Sequence, residues 1–170
     1  MSLSYIRLLT ENSPRIRMVG IAFLLGVVFF LACGAERDDS GQIVGAGDVE
    51  VDELRLGDCF DDPSPTTEQV TDLRGIPCSE PHENEVYHVF DLEEEGSWPG
   101  GDTLNSIGFD ECFATFEPFV GAPYDSSRLD IGWIFPSKFG WEVDDDRQIM
   151  CLLFDIRLEL LSGSMQGSGE

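Results

Sequence analysis

Positive charge is scarce in this 170-residue chain: ten Lys and Arg stand against 33 acidic residues, for a formal net charge of −23. That shortage excludes whole classes of partner. Nucleic-acid binding draws on Lys and Arg to displace counterions from phosphates, and a hold on anionic lipid headgroups needs the same residues. Histidine is scarce as well, with only His82 and His88, which leaves few groups for acid–base chemistry near neutral pH. The sequence has no G-x-S-x-G run of the kind that presents a nucleophilic serine and no D-x-D-x-D-G calcium loop. It has no internal repeat. Its unbroken apolar run, Met18 to Ala32, falls short of the ~20 residues that cross a bilayer without strain. The acidic excess suits an exposed, soluble domain that stays monomeric by self-repulsion; a cationic partner or a divalent ion is the sharper alternative.

The residues that are present begin with a targeting signal. Arg7, Arg15 and Arg17, with the single acid Glu11, precede the apolar run, which is the layout of a signal peptide. Extended through Cys33-Gly34-Ala35, the run reaches the lower edge of a spanning helix, so an uncleaved single-pass anchor competes with cleavage. Either way the basic residues stay in the cytoplasm and the remainder lies outside. The junction Phe30-Leu31-Ala32-Cys33-Gly34 resembles a bacterial lipobox, in which a small residue precedes the cysteine that becomes lipidated and N-terminal. Ala32 and Gly34 fit; Phe30 replaces the usual aliphatic residue and Leu31 is bulkier than common. Lipidation of Cys33, as in a palmitate-bearing lipoprotein, is favoured over the anchor and over plain secretion.

Residues 34–50 lack periodicity and are rich in Gly and acid, so they read as a flexible acidic tether. The domain is expected over 51–160. Val51 to Leu56 reads as a short strand turning at Gly57-Asp58, and Glu68 to Leu73 as another. Glu85 to Phe90, with Val86, Tyr87, Val89 and Phe90, is the strongest strand signal. One main helix is expected from near Asp102, an N-cap candidate, to just before Gly121, a C′ glycine. Its apolar stripe includes Leu104, Ile107, Phe109, Cys112, Phe113, Phe116 and Val120, and those phenylalanines are assigned to the core. Pro118 must weaken its last turn. Leu129 to Phe135 alternates as a half-buried strand, whereas Arg147 to Arg157 is apolar throughout and reads as a central strand, which Leu158 to Leu161 could extend. Residues 161–170, rich in Ser and Gly, read as a disordered tail. The expected class is α+β, a small and mainly antiparallel sheet packed against one main helix and stapled by two disulfides.

The staples would come from Cys59, Cys78, Cys112 and Cys151. An even number in an extracytoplasmic domain favours disulfides, and separations of nineteen positions or more argue against the close C-x-x-C spacing of zinc sites. Four cysteines allow three pairings that spacing cannot separate. Cys59–Cys78 with Cys112–Cys151 is preferred, because the first would tie the opening strand to the start of the Val86 strand and the second would clamp the helix to the last strand.

Gly57-Asp58-Cys59-Phe60, then Ile76-Pro77-Cys78-Ser79-Glu80-Pro81-His82 with Glu85-Val86 following, resemble the bacterial septum-formation domain of actinobacterial envelope proteins. The later order is similar too: Cys112 in a helix ending at Val120-Gly121, then Pro136-Ser137, Trp141, Asp146-Arg147 and a strand holding Cys151. The resemblance covers residues 51–154. It implies a small extracytoplasmic α+β domain with two disulfides, associated with division septum formation, and it lends a place and a process without a mechanism.

No catalytic, cofactor or metal site is assigned. Glu80, His82 and Glu83 lie close in sequence and could serve acid–base or metal chemistry, but a structural role for His82 in the turn is the stronger reading. The same holds for Gly57, Asp58, Pro77, Pro81, Trp141, Asp146 and Arg147. Asp144-Asp145-Asp146 and Asp61-Asp62 are read as solvated rather than calcium-binding. Trp98 and Trp141 are the better candidates for stacking on a cell-wall sugar, with Trp133 in the core. The chain is expected to be a membrane-tethered binding or scaffold module whose partner is an envelope protein or a cell-wall component. Mass spectrometry of the N-terminus of purified chain checks the leader: lipidation requires an acylated Cys33 as the first residue, and an intact Met1 excludes it.

Overall fold

A computed structural model describes residues 34–63, 72–93 and 96–170; the leader and Cys33 lie outside these. Among the described residues, eight strands and one long helix follow one another. Strands β1 (Glu36–Arg37), β2 (Ile43–Gly45), β3 (Gly47–Glu50), β4 (Cys59–Asp61), β5 (Asp72–Ile76) and β6 (Asn84–Asp91) precede helix α1 (Gly101–Val120), and β7 (Leu129–Ile134) and β8 (Gln148–Asp155) follow it. Six strands form one sheet in the order β3-β5-β4-β6-β8-β7, with every neighbouring pair antiparallel. The short β1–β2 pair stands apart from it. The expected architecture is therefore present: an antiparallel sheet, one main helix and two disulfides.

Strand β8 lacks polar alternation because it is covered on both faces. It pairs with β6 on one edge and β7 on the other. Its Cys151 and Leu153 enter a core with Cys112, Phe116 and Val120 of the helix, and its Met150 enters a second core with Ile43, Val49, Phe60 and Val86. Strand β6 does the same with Tyr87 on the helix side and Val86 on the other. A strand buried on both faces reads as a continuous apolar run.

The helix ends at Gly121 (φ 83°), whose N–H donates to the Glu117 carbonyl at 2.8 Å. A residue with a Cβ rarely adopts that left-handed conformation. At the other end the N-cap is Gly100 rather than Asp102, and no side chain caps it. Asp102 falls inside the first turn, where its charge still suits the helix dipole. Disulfides join Cys59 to Cys78 and Cys112 to Cys151, with Cα separations of 5.2 and 5.4 Å. The second bolts α1 to β8 across the larger core, and a bridge of this kind stabilises by roughly 2–4 kcal/mol.

Several expectations are corrected. Residues 34–50 are not a structureless tether. They hold β1 to β3, and Ile43 and Val49 are buried in the second core. Arg37 fastens them with a two-pronged bond to the Asp58 carboxylate, at 2.7 and 2.8 Å. Val51–Glu53 is a turn of 3₁₀ helix rather than a strand. Phe109 and Phe113 are half-exposed instead of buried, because the sheet contacts α1 along a stripe narrower than its full apolar face. Leu158 has φ 58° and ends the strand direction rather than extending it.

Residues 161–170 are ordered. Leu161 and Met165 are buried in the helix-side core. Gly163 N–H donates to the Cys78 carbonyl at 2.7 Å, while Gly167 and Gly169 donate to Phe119 and Val120 at 2.8 and 2.9 Å. The last two bonds satisfy carbonyls that the end of any helix leaves open. Glycines that resemble a linker in composition thus supply the positive φ of successive turns. The domain accordingly extends past the expected 51–160 at both ends. Leu161→Ala should cost about 2–5 kcal/mol, the usual range for emptying a buried leucine site. Urea denaturation checks this, since a disordered tail would show no change.

Candidate functional site

Of the residues singled out in the sequence, Gly57, Asp58, Pro77, Glu80, Pro81 and His82 flank the Cys59–Cys78 bridge along the chain. Asp58 is buried there. Its carboxylate accepts from the Arg37 guanidinium and from the Arg55 backbone N–H at 2.8 Å, which closes the turn at Gly57. Pairing with Asp58 also raises the pKa of Arg37 further.

His82 is fully buried. Its Nδ1 lies 2.8 Å from the Glu80 carbonyl oxygen. That oxygen can only accept, so Nδ1 carries a proton and donates to it. Nε2 has no hydrogen-bond partner among the described residues. The backbone of His82 makes a two-way bridge with Leu161, at 3.1 and 2.8 Å. His82 is therefore the seat of the C-terminal segment.

Glu80 and Glu83 do not join His82 in a site. Both are exposed. Glu83 accepts the Asp62 N–H at 2.7 Å, and its own N–H donates to Asp61 at 3.2 Å. Asp62 also accepts from Asn84 Nδ2 at 2.9 Å. These contacts lace the end of β4 to the start of β6 and account for Asp61 and Asp62 without an ion. Among the described residues no group of three or more His, Cys, Asp or Glu could hold a metal.

The buried carboxylate that sequence reading missed is Glu85. One oxygen accepts from Ser164 Oγ at 2.5 Å and the other from the Met165 N–H at 2.7 Å. Burial pushes its pKa above the ordinary 4.5, while those two donors and nearby His82 oppose the rise. Glu85 borders a cavity of about 650 Å³ walled by Val44, Leu56, Pro77, Cys78, Tyr87 and Phe119. Tyr87 is held there by donating to the Cys112 carbonyl, and its burial raises its pKa. The cavity thus contains a carboxylate and a phenol that are both bonded to the chain's own groups. No sequence signal marked Glu85, because its partners lie 79 and 80 positions away.

Trp141, Asp146 and Arg147 form a separate structural knot. The Arg147 guanidinium sits 3.9 Å above the Trp141 ring, a favourable cation–π geometry. Arg147 also donates to the Trp141 and Asp146 carbonyls at 2.9 and 2.8 Å. Asp146 accepts the Gln148 N–H at 3.0 Å, and Trp141 Nε1 donates to Gly96 at 2.9 Å. Trp98 packs edge-on against Trp141. With one face covered by Arg147 and the ring buried, Trp141 is packing and offers no platform to a sugar. Asp145 pairs with Arg147 at 2.9 Å. Trp133 is only partly buried, at the margin of the helix-side core.

Among the described residues no helix is long and apolar enough to cross a membrane. A family model described as septum formation matches residues 56–165, a span that includes both disulfides and reaches Met165. No curated protein and no solved structure matches the chain.

The Glu85 environment has a signed consequence. Its pKa is raised in the folded state, so folding favours the protonated form. Its contribution to stability is complete below the unfolded value and is lost as pH rises through the folded one. Glu85→Gln removes that dependence. In urea titrations across a pH series, the stability of the variant relative to the parent should therefore rise as pH increases from about 4.5. A difference that stays flat with pH would show that Glu85 titrates normally.

Proposed function

The chain belongs to the septum-formation family, and from that premise we propose that it is a membrane-tethered binding or scaffold domain acting outside the cytoplasm in division septum formation. The two disulfides suit an oxidising, extracytoplasmic compartment, and the basic leader with its apolar run supplies the route there. The tether is lipid on Cys33 or a single uncleaved helix.

One observation carries the preference for binding over catalysis. Apart from Nε2 of the enclosed His82, the polar side chains of the motif region spend their hydrogen bonds on this chain's own backbone and side chains. Asp58 closes a turn, His82 Nδ1 donates to Glu80 while the His82 backbone seats the last segment, Glu85 holds Met165, and Arg147 braces Trp141. A catalytic site needs a nucleophile or base free to meet a substrate at hydrogen-bond distance. The competing acid–base or metal reading would require Glu80, His82 and Glu83 to converge, and two of them are on the surface while the third is enclosed.

The test is complementation of a strain lacking the chain. Loss should delay septation and lengthen cells, and Cys33→Ala should impair rescue if the tether is lipid. Glu80→Gln combined with Glu83→Gln should rescue fully. Failure of that double variant, with an unchanged melting curve, would favour the catalytic reading. Normal division without the chain would remove the septal role altogether.

A further inference from the structure

Helix α1 presents an aromatic face that the domain leaves uncovered. Phe109 and Phe113 are 46 % and 45 % exposed and stack with ring centroids 5.8 Å apart. The rings are braced from beneath, Phe109 by Trp133 at 5.9 Å and Phe113 by Tyr124 at 5.3 Å, both edge-on. Gly108 permits this support, because a Cβ there would come within 2.5 Å of the Trp133 ring. Tyr124 is itself fixed by donating to Asp130. The pair is therefore a pre-organised platform, which lowers the entropy cost of binding.

The surroundings specify the chemistry of what sits on it. Helix α1 contains Asp102, Asp110, Glu111 and Glu117 and no Lys or Arg. The 3.6-residue period places Asp102, Asp110 and Glu117 on the same side as Phe109 and Phe113. A shallow groove lined by Phe113, Ala114, Glu117, Pro118 and Gly121 continues the platform. Pro118 has no N–H, so it cannot give the Ala114 carbonyl the donor that an unbroken helix would supply. The face therefore combines two aromatic anchors with carboxylates and a carbonyl that require donors.

We propose that this face of α1 docks a basic, aromatic-containing segment of an envelope protein partner, with apolar rings on Phe109 and Phe113 and Lys or Arg reaching Glu117, Asp110 and the Ala114 carbonyl. It deepens the reading of the chain as a binding module and rests on it. The charge balance selects this occupant. A second copy would bring the same acids against one another in a chain of net charge −23, and an anionic lipid surface would be repelled.

The test uses the full-length chain in detergent and synthetic peptides that alternate arginine with tryptophan, followed by fluorescence anisotropy. Binding should weaken at least about tenfold in the Phe109→Ser, Phe113→Ser double variant. It should also weaken with added salt, and with Glu117→Gln, while circular dichroism stays unchanged. Glu85→Gln serves as the remote control and should bind like the parent. The proposal is overturned if the double variant folds and binds equally well, if a glutamate-for-arginine peptide binds as tightly, or if sedimentation shows a dimer that the double variant abolishes. Because this readout is independent of division, its failure would leave the septal role standing, and failed complementation would leave the docking result intact.

Discussion

Both faces of strands β6 and β8 are apolar, and a sheet of that kind is stable in water only when both are covered. Cover on one side comes from α1, bolted down by Cys112–Cys151, with Leu161 and Met165 completing the layer. Cover on the other comes from Ile43, Val49 and Leu54. The same requirement explains why segments with linker-like composition at both ends are folded. Each contributes only a few apolar side chains, and each lies over a face that would otherwise meet water. A domain of this size has a modest core, so two disulfides and two end segments make up a large share of its stability.

The motif residues act as fasteners for that cover. Asp58 ties the N-terminal segment through Arg37, and His82 and Glu85 tie the C-terminal segment through Leu161, Ser164 and Met165. Buried polar groups of this type are costly unless satisfied. Once satisfied by a distant segment they specify one arrangement over its competitors. On this view the motif around the first disulfide is a docking frame for the chain's own ends.

The proposed binding role then falls to the outside of the molecule, where acid predominates and Phe109 and Phe113 of α1 are exposed. The domain spends its aromatic groups in two ways. Trp141 is enclosed beneath Arg147, while Phe109 and Phe113 are propped outward by Trp133 and Tyr124. An exposed rigid aromatic pair in a strongly acidic setting is suited to recognition of cations with apolar groups beside them.

Local pattern was enough to reveal the strand at Glu85–Phe90, the helix up to Gly121, the central character of Gln148–Asp155 and the number of disulfides, because periodicity, glycine caps and cysteine parity are properties of neighbouring residues. The pairing of Cys59 with Cys78 and of Cys112 with Cys151 was preferred among three options, and proximity in space resolved it. Composition misjudged residues 34–50 and 161–170, since Gly, Ser and acid suit a linker and a series of tight turns equally well. Which phenylalanines of α1 would be buried was also beyond the stripe itself, because the width of the sheet beneath decides how much of the stripe is used. Burial of Glu85 and the Arg37–Asp58 pair depend on residues brought together from far along the chain, and only tertiary packing could place them. Sequence alone thus determined the main helix, the two long strands and the cysteines that pair, whereas the fold decided which charges are enclosed and which aromatic rings face outward, since burial is set by what lies opposite in space rather than by what lies adjacent in the chain.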